Sequence, residues 1–94
     1  MKIYKVVFDC QMKELPVVMH PVHTYVEALS KKMAKERGWD VIKSNDENLE
    51  KLNITLADVS EVRTATITMG GVPKIKDVSV FALSGEQVEV KVID

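Results

Sequence analysis

The stretch TYVEALSKKMAKERG, residues 24–38, restricts the fold more than any other part of this sequence. Thr24 and Glu27 have the spacing of a capping box, in which a hydroxyl and a carboxylate satisfy free N–H groups of the first helical turn. Gly38 is the residue type that often ends a helix. An apolar stripe recurs at helical spacing between them: Tyr25, Val26, Leu29 and Met33. The pattern predicts one main helix from Thr24 to Gly38. If its apolar stripe is buried, Leu29→Ala should lower the free energy of unfolding by about 2–5 kcal/mol.

Two strands are predicted before this helix. Residues 2–8 are rich in β-branched and aromatic types, with Tyr4, Val6 and Phe8 on one face. Residues 17–20 are interpreted as a second short strand that pairs antiparallel with the first. Pro16 and Pro21 flank it, and because proline cannot donate to a ladder they indicate a sheet edge.

The middle of the chain is harder to interpret. Residues 39–43, WDVIK, have the composition of a third strand. Capping-box spacings at Ser44 and Thr55 favour one or two short helical turns within residues 45–60, whereas the acidic composition also suits a long loop. Both interpretations stay open.

The last third of the chain has the alternation of β-strands. Residues 62–69 alternate apolar and polar side chains, and residues 77–83 and 86–93 flank Ser84 and Gly85 as the two arms of a hairpin. Hairpin-linked strands with one long helix define an α+β domain. We therefore expect residues 1–94 to form a single domain, a mostly antiparallel sheet of about five to six strands with the helix packed on one face.

Composition excludes several classes of protein. The formal net charge of −1 and the pI near 6.1 argue against binding nucleic acid through a broad basic surface. A single cysteine, Cys10, cannot form an internal disulfide. No secretory signal pattern and no apolar run of membrane-spanning length is present. The sequence thus predicts a cytoplasmic protein without a membrane segment.

The loop GGVPKIK, residues 70–76, is a candidate anion-binding site. Backbone N–H groups at Gly70 and Gly71, with Lys74 and Lys76 nearby, resemble the composition of phosphate-binding nests. The spacing of a Walker motif is absent, however. A hairpin connection with two solvated lysines explains the same residues.

A second candidate is the acidic stretch around Asp46, Glu47 and Glu50. Such a stretch is usually a solvated face, but it can also dock on a basic partner by charge complementarity. Its carboxylates lie together, whereas acid–base catalysis needs carboxylates in contrasting environments. We therefore interpret these residues as a binding surface and not as catalytic groups.

His20 and His23 could ligate a metal ion, and Cys10 could act as a nucleophile with His20 as its base. A zinc site needs three or four ligands, and no further ligand pair of recognisable spacing exists. Cys10 continues the apolar face of Tyr4, Val6 and Phe8, where a free cysteine behaves as a small hydrophobe. We therefore predict no metal and no cofactor.

These observations favour a non-catalytic protein-binding module, an accessory, inhibitory or regulatory factor whose partner is another protein of unknown identity. A homodimer through an exposed strand edge is one form of this hypothesis. Two alternatives stay open. The first is a nucleic-acid-binding module using Lys74 and Lys76 with the helix lysines Lys31 and Lys35, and the second is a small metal- or Cys/His-dependent enzyme. No motif is specific enough to indicate a family.

Overall fold

The computed structural model describes residues 2–14, 19–45, 49–64 and 75–93. These residues form five strands, one α-helix and a single 3-10 turn. In chain order they are β1 (Lys2–Met12), β2 (Met19–Ala28), α1 (Lys31–Asn45), the 3-10 turn (Leu49–Lys51), β3 (Leu52–Thr64), β4 (Ile75–Phe81) and β5 (Gln87–Ile93). Neither helical segment in this part of the chain is long and apolar enough to cross a membrane.

The strands close into a barrel in the order β1-β2-β4-β5-β3. The α+β content with one helix is confirmed, but the open sheet expected from the sequence is wrong. Four of the five strand contacts are antiparallel, whereas β2 and β4 run parallel. β1 contributes apolar residues to both hydrophobic clusters of the barrel. Tyr4, Val6 and Phe8 lie on the helix side, and Ile3 packs with the remaining strands on the other.

Two hydrophobic clusters form the core. The first lies between α1 and the sheet made by β1, β2 and β3, and its buried members are Tyr4, Val6, Phe8, Val26, Ala28, Ala34, Ile42 and Val59. The second joins side chains from all five strands: Ile3, Tyr25, Val62, Val78, Val80, Val90 and Val92. The helix therefore covers one face of the long strands, and the β4–β5 hairpin covers the other.

The main helix begins seven residues later than the sequence pattern predicts. Residues 24–28 form the end of β2, where Tyr25 and Val26 pair with Lys5 and Tyr4 of β1. The cap of α1 is Ser30, whose Oγ accepts a hydrogen bond of 3.2 Å from the Met33 N–H. The predicted capping box fails because aromatic and β-branched residues favour strands when a partner strand is available.

The helix also continues past Gly38. Residues 39–43, predicted as a strand, are helical, and the residues that face the sheet are Ala34, Gly38 and Ile42 at intervals of four. Gly38 is not a helix end: its backbone lies against Val6, and a Cβ added there would stand 2.8 Å from Val6 Cγ1. A small residue is needed here because helix and strand approach so closely.

In the interval 45–60, the residues that the structure describes form one short helical turn followed by a strand, while residues 46–48 lie outside the described ranges. The 3-10 turn spans Leu49–Lys51, and β3 begins immediately afterwards at Leu52. Leu52, Ile54 and Leu56 are half-buried while the residues between them are exposed, which is the alternation of a strand with one covered face. The strand that was predicted to begin at residue 62 therefore begins ten residues earlier in the structure. Residues 65–69 of the predicted strand lie outside the described part of the chain.

The predicted C-terminal hairpin is confirmed. Strands β4 and β5 pair antiparallel from Ile75↔Ile93 to Phe81↔Gln87. At the turn the Gly85 N–H donates to the Ala82 carbonyl at 2.9 Å, and Gly85 has a φ of 91°. Glycine at this left-handed position is the usual end of a three-residue hairpin loop.

Leu29→Ala should have almost no effect on stability, contrary to the value expected from a buried stripe. Leu29 lies between β2 and α1 with 69% of its surface exposed. We expect a loss below about 0.5 kcal/mol, as for surface substitutions in general. Urea unfolding measures it, with the fully buried Val26→Ala as the control that should lose more than about 1 kcal/mol. Equal losses for the two variants would contradict the placement of Leu29.

Candidate binding site

Most of the candidate residues chosen from the sequence lie outside the described part of the chain. These are Gly70, Gly71, Lys74, Asp46 and Glu47. Of the remaining two, Lys76 is exposed on β4 opposite Val92, and Glu50 is exposed in the 3-10 turn. Their roles in binding stay predictions.

The helix lysines do not form a purely basic surface. Lys31 and Lys35 are exposed on α1 and line a shallow depression together with Leu56, Ala57 and Asp58 of β3. The Asp58 carboxylate places a negative charge in the same depression. Since phosphate contacts depend on positive charge, this acid weakens the case for a polyanion at this position.

Cys10 and His20 lie directly opposite each other in the β1–β2 ladder, which confirms the predicted antiparallel pairing. His23 lies three residues further along β2 and therefore points to the opposite face of the strand. Its ring packs edge-on against Tyr25, with 5.8 Å between the ring centroids. In the described ranges no group of three His, Cys, Asp or Glu side chains could hold a metal ion.

A concave surface lies where β2 and β4 separate. These parallel neighbours pair only at Tyr25↔Val80 and Val26↔Phe81. Within the described ranges, the ladder partners of residues 19–24 of β2 lie on β1, and those of residues 75–79 of β4 lie on β5. No described strand lies between these two segments. An open groove of about 460 Å³ occupies this position, and we call it the β2–β4 groove.

The described lining of the β2–β4 groove is mostly apolar and contains no Asp, Glu, Lys or Arg side chain. The groove is lined by α1 and all five strands: Cys10, Val22, His23, Thr24, Tyr25, Val41, Ile42, Ile54, Ser79, Phe81 and Gln87. Val22 is 43% exposed, which is unusual for a valine in the middle of a long strand. Apolar lining with a few polar groups is typical of sites that hold a ligand.

The polar part of the lining lies on the β4–β5 hairpin. The Ser79 hydroxyl is hydrogen-bonded to the Gln87 side-chain oxygen at 3.3 Å, and both residues are exposed. On the opposite side of the groove, Thr24 is half-buried on β2. Hydroxyl and amide groups at the wall can satisfy the polar groups of an occupant whose apolar part lies deeper.

Two charged side chains hold the hairpin wall in place. The Arg37 Nη2 donates to the Phe81 carbonyl at 3.3 Å and to the Ala82 carbonyl at 2.5 Å. The Leu83 N–H donates to Glu27 Oε1 at 3.0 Å. Hydrogen bonds to charged groups stabilise more than neutral ones. Arg37 from α1 and Glu27 from β2 therefore fix the end of β4, and with it the position of Phe81 in the groove.

The outer edge of β3 differs from the edge of β2 at the groove. Among described residues, β3 pairs with β5 only at Arg63 and Thr64. On its other side, the ladder with β1 contains a β-bulge at Ala57, and β3 also carries Asp58 and Glu61. Bulges and charges protect edges from strand addition. Residues 19–26 of β2 contain no charged side chain, so Pro21 is their main protection.

The chain matches no protein-family model, and no curated protein or solved structure is significantly similar to it. The functional argument therefore rests on the geometry of the groove.

Sequence reasoning considered Cys10 and His23 for other roles and missed the remaining groove residues. One signal was present, the uncharged run MHPVHTYV over residues 19–26. Its significance depends on which strand lies beside β2, and that neighbour is β4, about fifty residues later in the chain. A parallel contact of two residue pairs leaves no recognisable pattern in the sequence.

Proposed function

We propose that this chain is a non-catalytic binding module that holds an extended segment of another protein in the β2–β4 groove. The observation that carries the proposal is a mostly apolar groove, with no Asp, Glu, Lys or Arg in its described lining, beside a part of β2 whose described ladder partners lie on β1 alone. An extended peptide can bind such an edge through main-chain hydrogen bonds, while pockets for alternate side chains provide specificity. The groove and the edge offer both kinds of contact together.

The lining also favours a particular chemistry for the partner segment. A charged side chain in the groove would lose water without gaining an ion-pair partner among the described lining residues, none of which is an Asp, Glu, Lys or Arg. An apolar side chain would instead cover Val22 and Phe81, and each CH₂ group buried contributes about 0.8 kcal/mol. We therefore expect the bound segment to place aliphatic or aromatic side chains in the groove.

The alternatives from the sequence stay predictions. A nucleic-acid site using Lys74, Lys76, Lys31 and Lys35 predicts affinity that falls steeply with salt. A Cys/His enzyme would use Cys10 and His20, which face each other across the ladder. A homodimer is a version of the present proposal in which the bound segment comes from a second copy.

Val22→Lys should abolish binding in the groove. Peptides of about ten residues, the length of a long strand, are selected from a random library on the purified protein. Selected peptides should contain alternating apolar residues and bind Val22→Lys at least tenfold more weakly, a change of about 1.4 kcal/mol. The lysine places an unpaired charge in the groove, and lysine is also the residue that commonly blocks strand addition at natural edges.

Val88→Lys is the matched control. Val88 is 41% exposed, close to the 43% of Val22, and it lies on β5 outside the groove lining. The affinity of the Val88→Lys variant for the same peptides should stay within about twofold of the affinity of the parent protein. This is well below the tenfold change that 1.4 kcal/mol represents. Peptides that bind both variants equally, or a library that yields no binder, would refute the proposed function. Light scattering on the free protein separates a homodimer, which Val22→Lys would dissociate, from a monomer.

A further inference from the structure

We infer that one tyrosine anchors the bound segment in the β2–β4 groove, with its ring on Phe81 and its hydroxyl hydrogen-bonded to Ser79 and Gln87. The inference rests on the proposed function and names the side chain that the groove selects. Its basis is the division of the described lining into two parts. The apolar floor is buried or half-buried, whereas the polar groups of the β4–β5 hairpin are exposed.

Phe81 and the polar pair lie on the face of the sheet that α1 covers. Val26 of β2 packs in the cluster beneath α1, and Phe81 of β4 is its ladder neighbour, so both side chains lie on that face. Ser79 precedes Phe81 by two residues, and Gln87 of β5 pairs with Phe81, so these two residues share the face as well. Gln87 therefore borders Phe81 on the side away from β2.

The floor of the groove favours an aromatic ring. Its members come from α1 and three strands, and each is buried or half-buried: Cys10, Val41, Ile42, Ile54 and Phe81. An aromatic side chain covers a large apolar area while only two side-chain torsions become ordered. Contact with the Phe81 ring adds the attraction of an aromatic pair, which an aliphatic side chain lacks.

The Ser79–Gln87 pair is complementary to a hydroxyl group. Ser79 donates its proton to Gln87 Oε1 at 3.3 Å, and this bond uses neither of the two N–H donors of the Gln87 amide nor the lone pairs of the Ser79 oxygen. A phenol both donates and accepts, so it can bond to both residues, whereas an indole N–H only donates. Neighbouring strands lie about 4.8 Å apart, so a ring that rests on Phe81 of β4 has its far end close to Gln87 of β5.

The anchor is tested with a peptide selected in the library experiment and a copy in which its tyrosine is replaced by phenylalanine. We expect the selected peptides to share one tyrosine, and the phenylalanine copy to bind about fivefold more weakly, the effect of one neutral hydrogen bond. Gln87→Leu should weaken the tyrosine peptide by a similar factor and leave the phenylalanine peptide within about twofold. Asn53→Leu is the matched control, because Asn53 is an exposed amide on β3 outside the groove lining. It should leave both affinities within about twofold.

The outcomes separate this inference from the proposed function. Selected peptides without a shared tyrosine, or equal affinities of the tyrosine and phenylalanine peptides, would overturn the anchor while leaving the binding site intact. Equal losses of both peptides on Gln87→Leu would show that Gln87 acts through the shape of the groove and not through the hydroxyl, and they would also overturn the inference. A library that yields no binder, or binders that Val22→Lys does not weaken, would refute the proposed function itself.

Discussion

Phe8→Ala is expected to lower the free energy of unfolding by about 3–5 kcal/mol, the largest loss for any single substitution considered. Phe8 is fully buried and is the largest side chain that is completely excluded from solvent in the described chain. Its ring packs edge-on against Trp39 of α1, with 4.7 Å between the ring centroids. Removing the ring leaves a cavity between helix and sheet that the long strands cannot fill. Equilibrium unfolding in urea measures the loss.

Two variants control for this result. Phe8→Leu keeps most of the apolar volume and should cost less than half as much. Met12 lies on the same strand with 40% of its surface exposed, and Met12→Ala should change stability by less than about 0.5 kcal/mol. A loss below about 1 kcal/mol for Phe8→Ala would contradict the position of α1 on the sheet, because a buried aromatic ring is worth more than that.

Gly38→Val is expected to destabilise the protein by about 2–3 kcal/mol through overpacking. A Cβ at this position would lie 2.8 Å from Val6 Cγ1 and 3.1 Å from Val6 Cβ. Val6 is fully buried, and its β-branched side chain has little rotamer freedom with which to move away. Helix propensity alone would favour the substitution, since glycine is among the poorest residues in a helix interior. A destabilised variant therefore reports the contact and not the propensity.

A double-mutant cycle tests the same contact. Val6→Ala removes the two methyl groups that the new valine side chain would meet. In the Val6→Ala protein, Gly38→Val should therefore cost at least about 0.5 kcal/mol less than in the parent protein. A coupling of about this size is seen between residues in contact. Additive losses, or a stabilised Gly38→Val, would show that α1 does not approach β1 at Gly38.

Sequence patterns predicted the parts of this fold that local interactions determine. The β4–β5 hairpin follows from strict alternation on both arms and a glycine at the turn, where Gly85 has a positive φ. An antiparallel partner for β1 was also predicted, but at residues 17–20, whereas β2 spans Met19–Ala28. In both cases the partner strands are close in sequence, and their register depends on the connection between them.

The main helix was misplaced because two local signals competed. A capping-box spacing at Thr24 and Glu27 favoured a helix, whereas the residues between them also suit a strand, and pairing with β1 decides the outcome. The true buried face of α1 is Ala34, Gly38 and Ile42. Two of these residues have almost no hydrophobic side chain, so the stripe is nearly invisible to a search for apolar periodicity. Close packing against Val6, a non-local contact, explains why small residues lie there.

The candidate site was not predictable for a related reason. The β2–β4 groove arises from closure of the barrel, in which β4 joins β2 through two residue pairs and Arg37 bonds to the carbonyls at its end. None of these contacts is local. Gly70, Gly71, Lys74, Asp46 and Glu47 lie outside the described residues, and their proposed roles stay predictions.

Hydrogen exchange at the His23 amide tests the central claim most directly, namely that an extended segment binds along the open edge of β2. Pro21 pairs with Asp9 of β1 and has no N–H to donate, so its nitrogen should point away from β1. Because backbone direction alternates, the His23 N–H should face the groove and exchange quickly in the free protein, whereas the Val22 and Thr24 amides should be protected by β1. Adding a selected peptide should slow exchange at His23 and leave Val22 and Thr24 unchanged. An unchanged His23 with a saturating peptide, or protection that appears only on β3, would contradict the account.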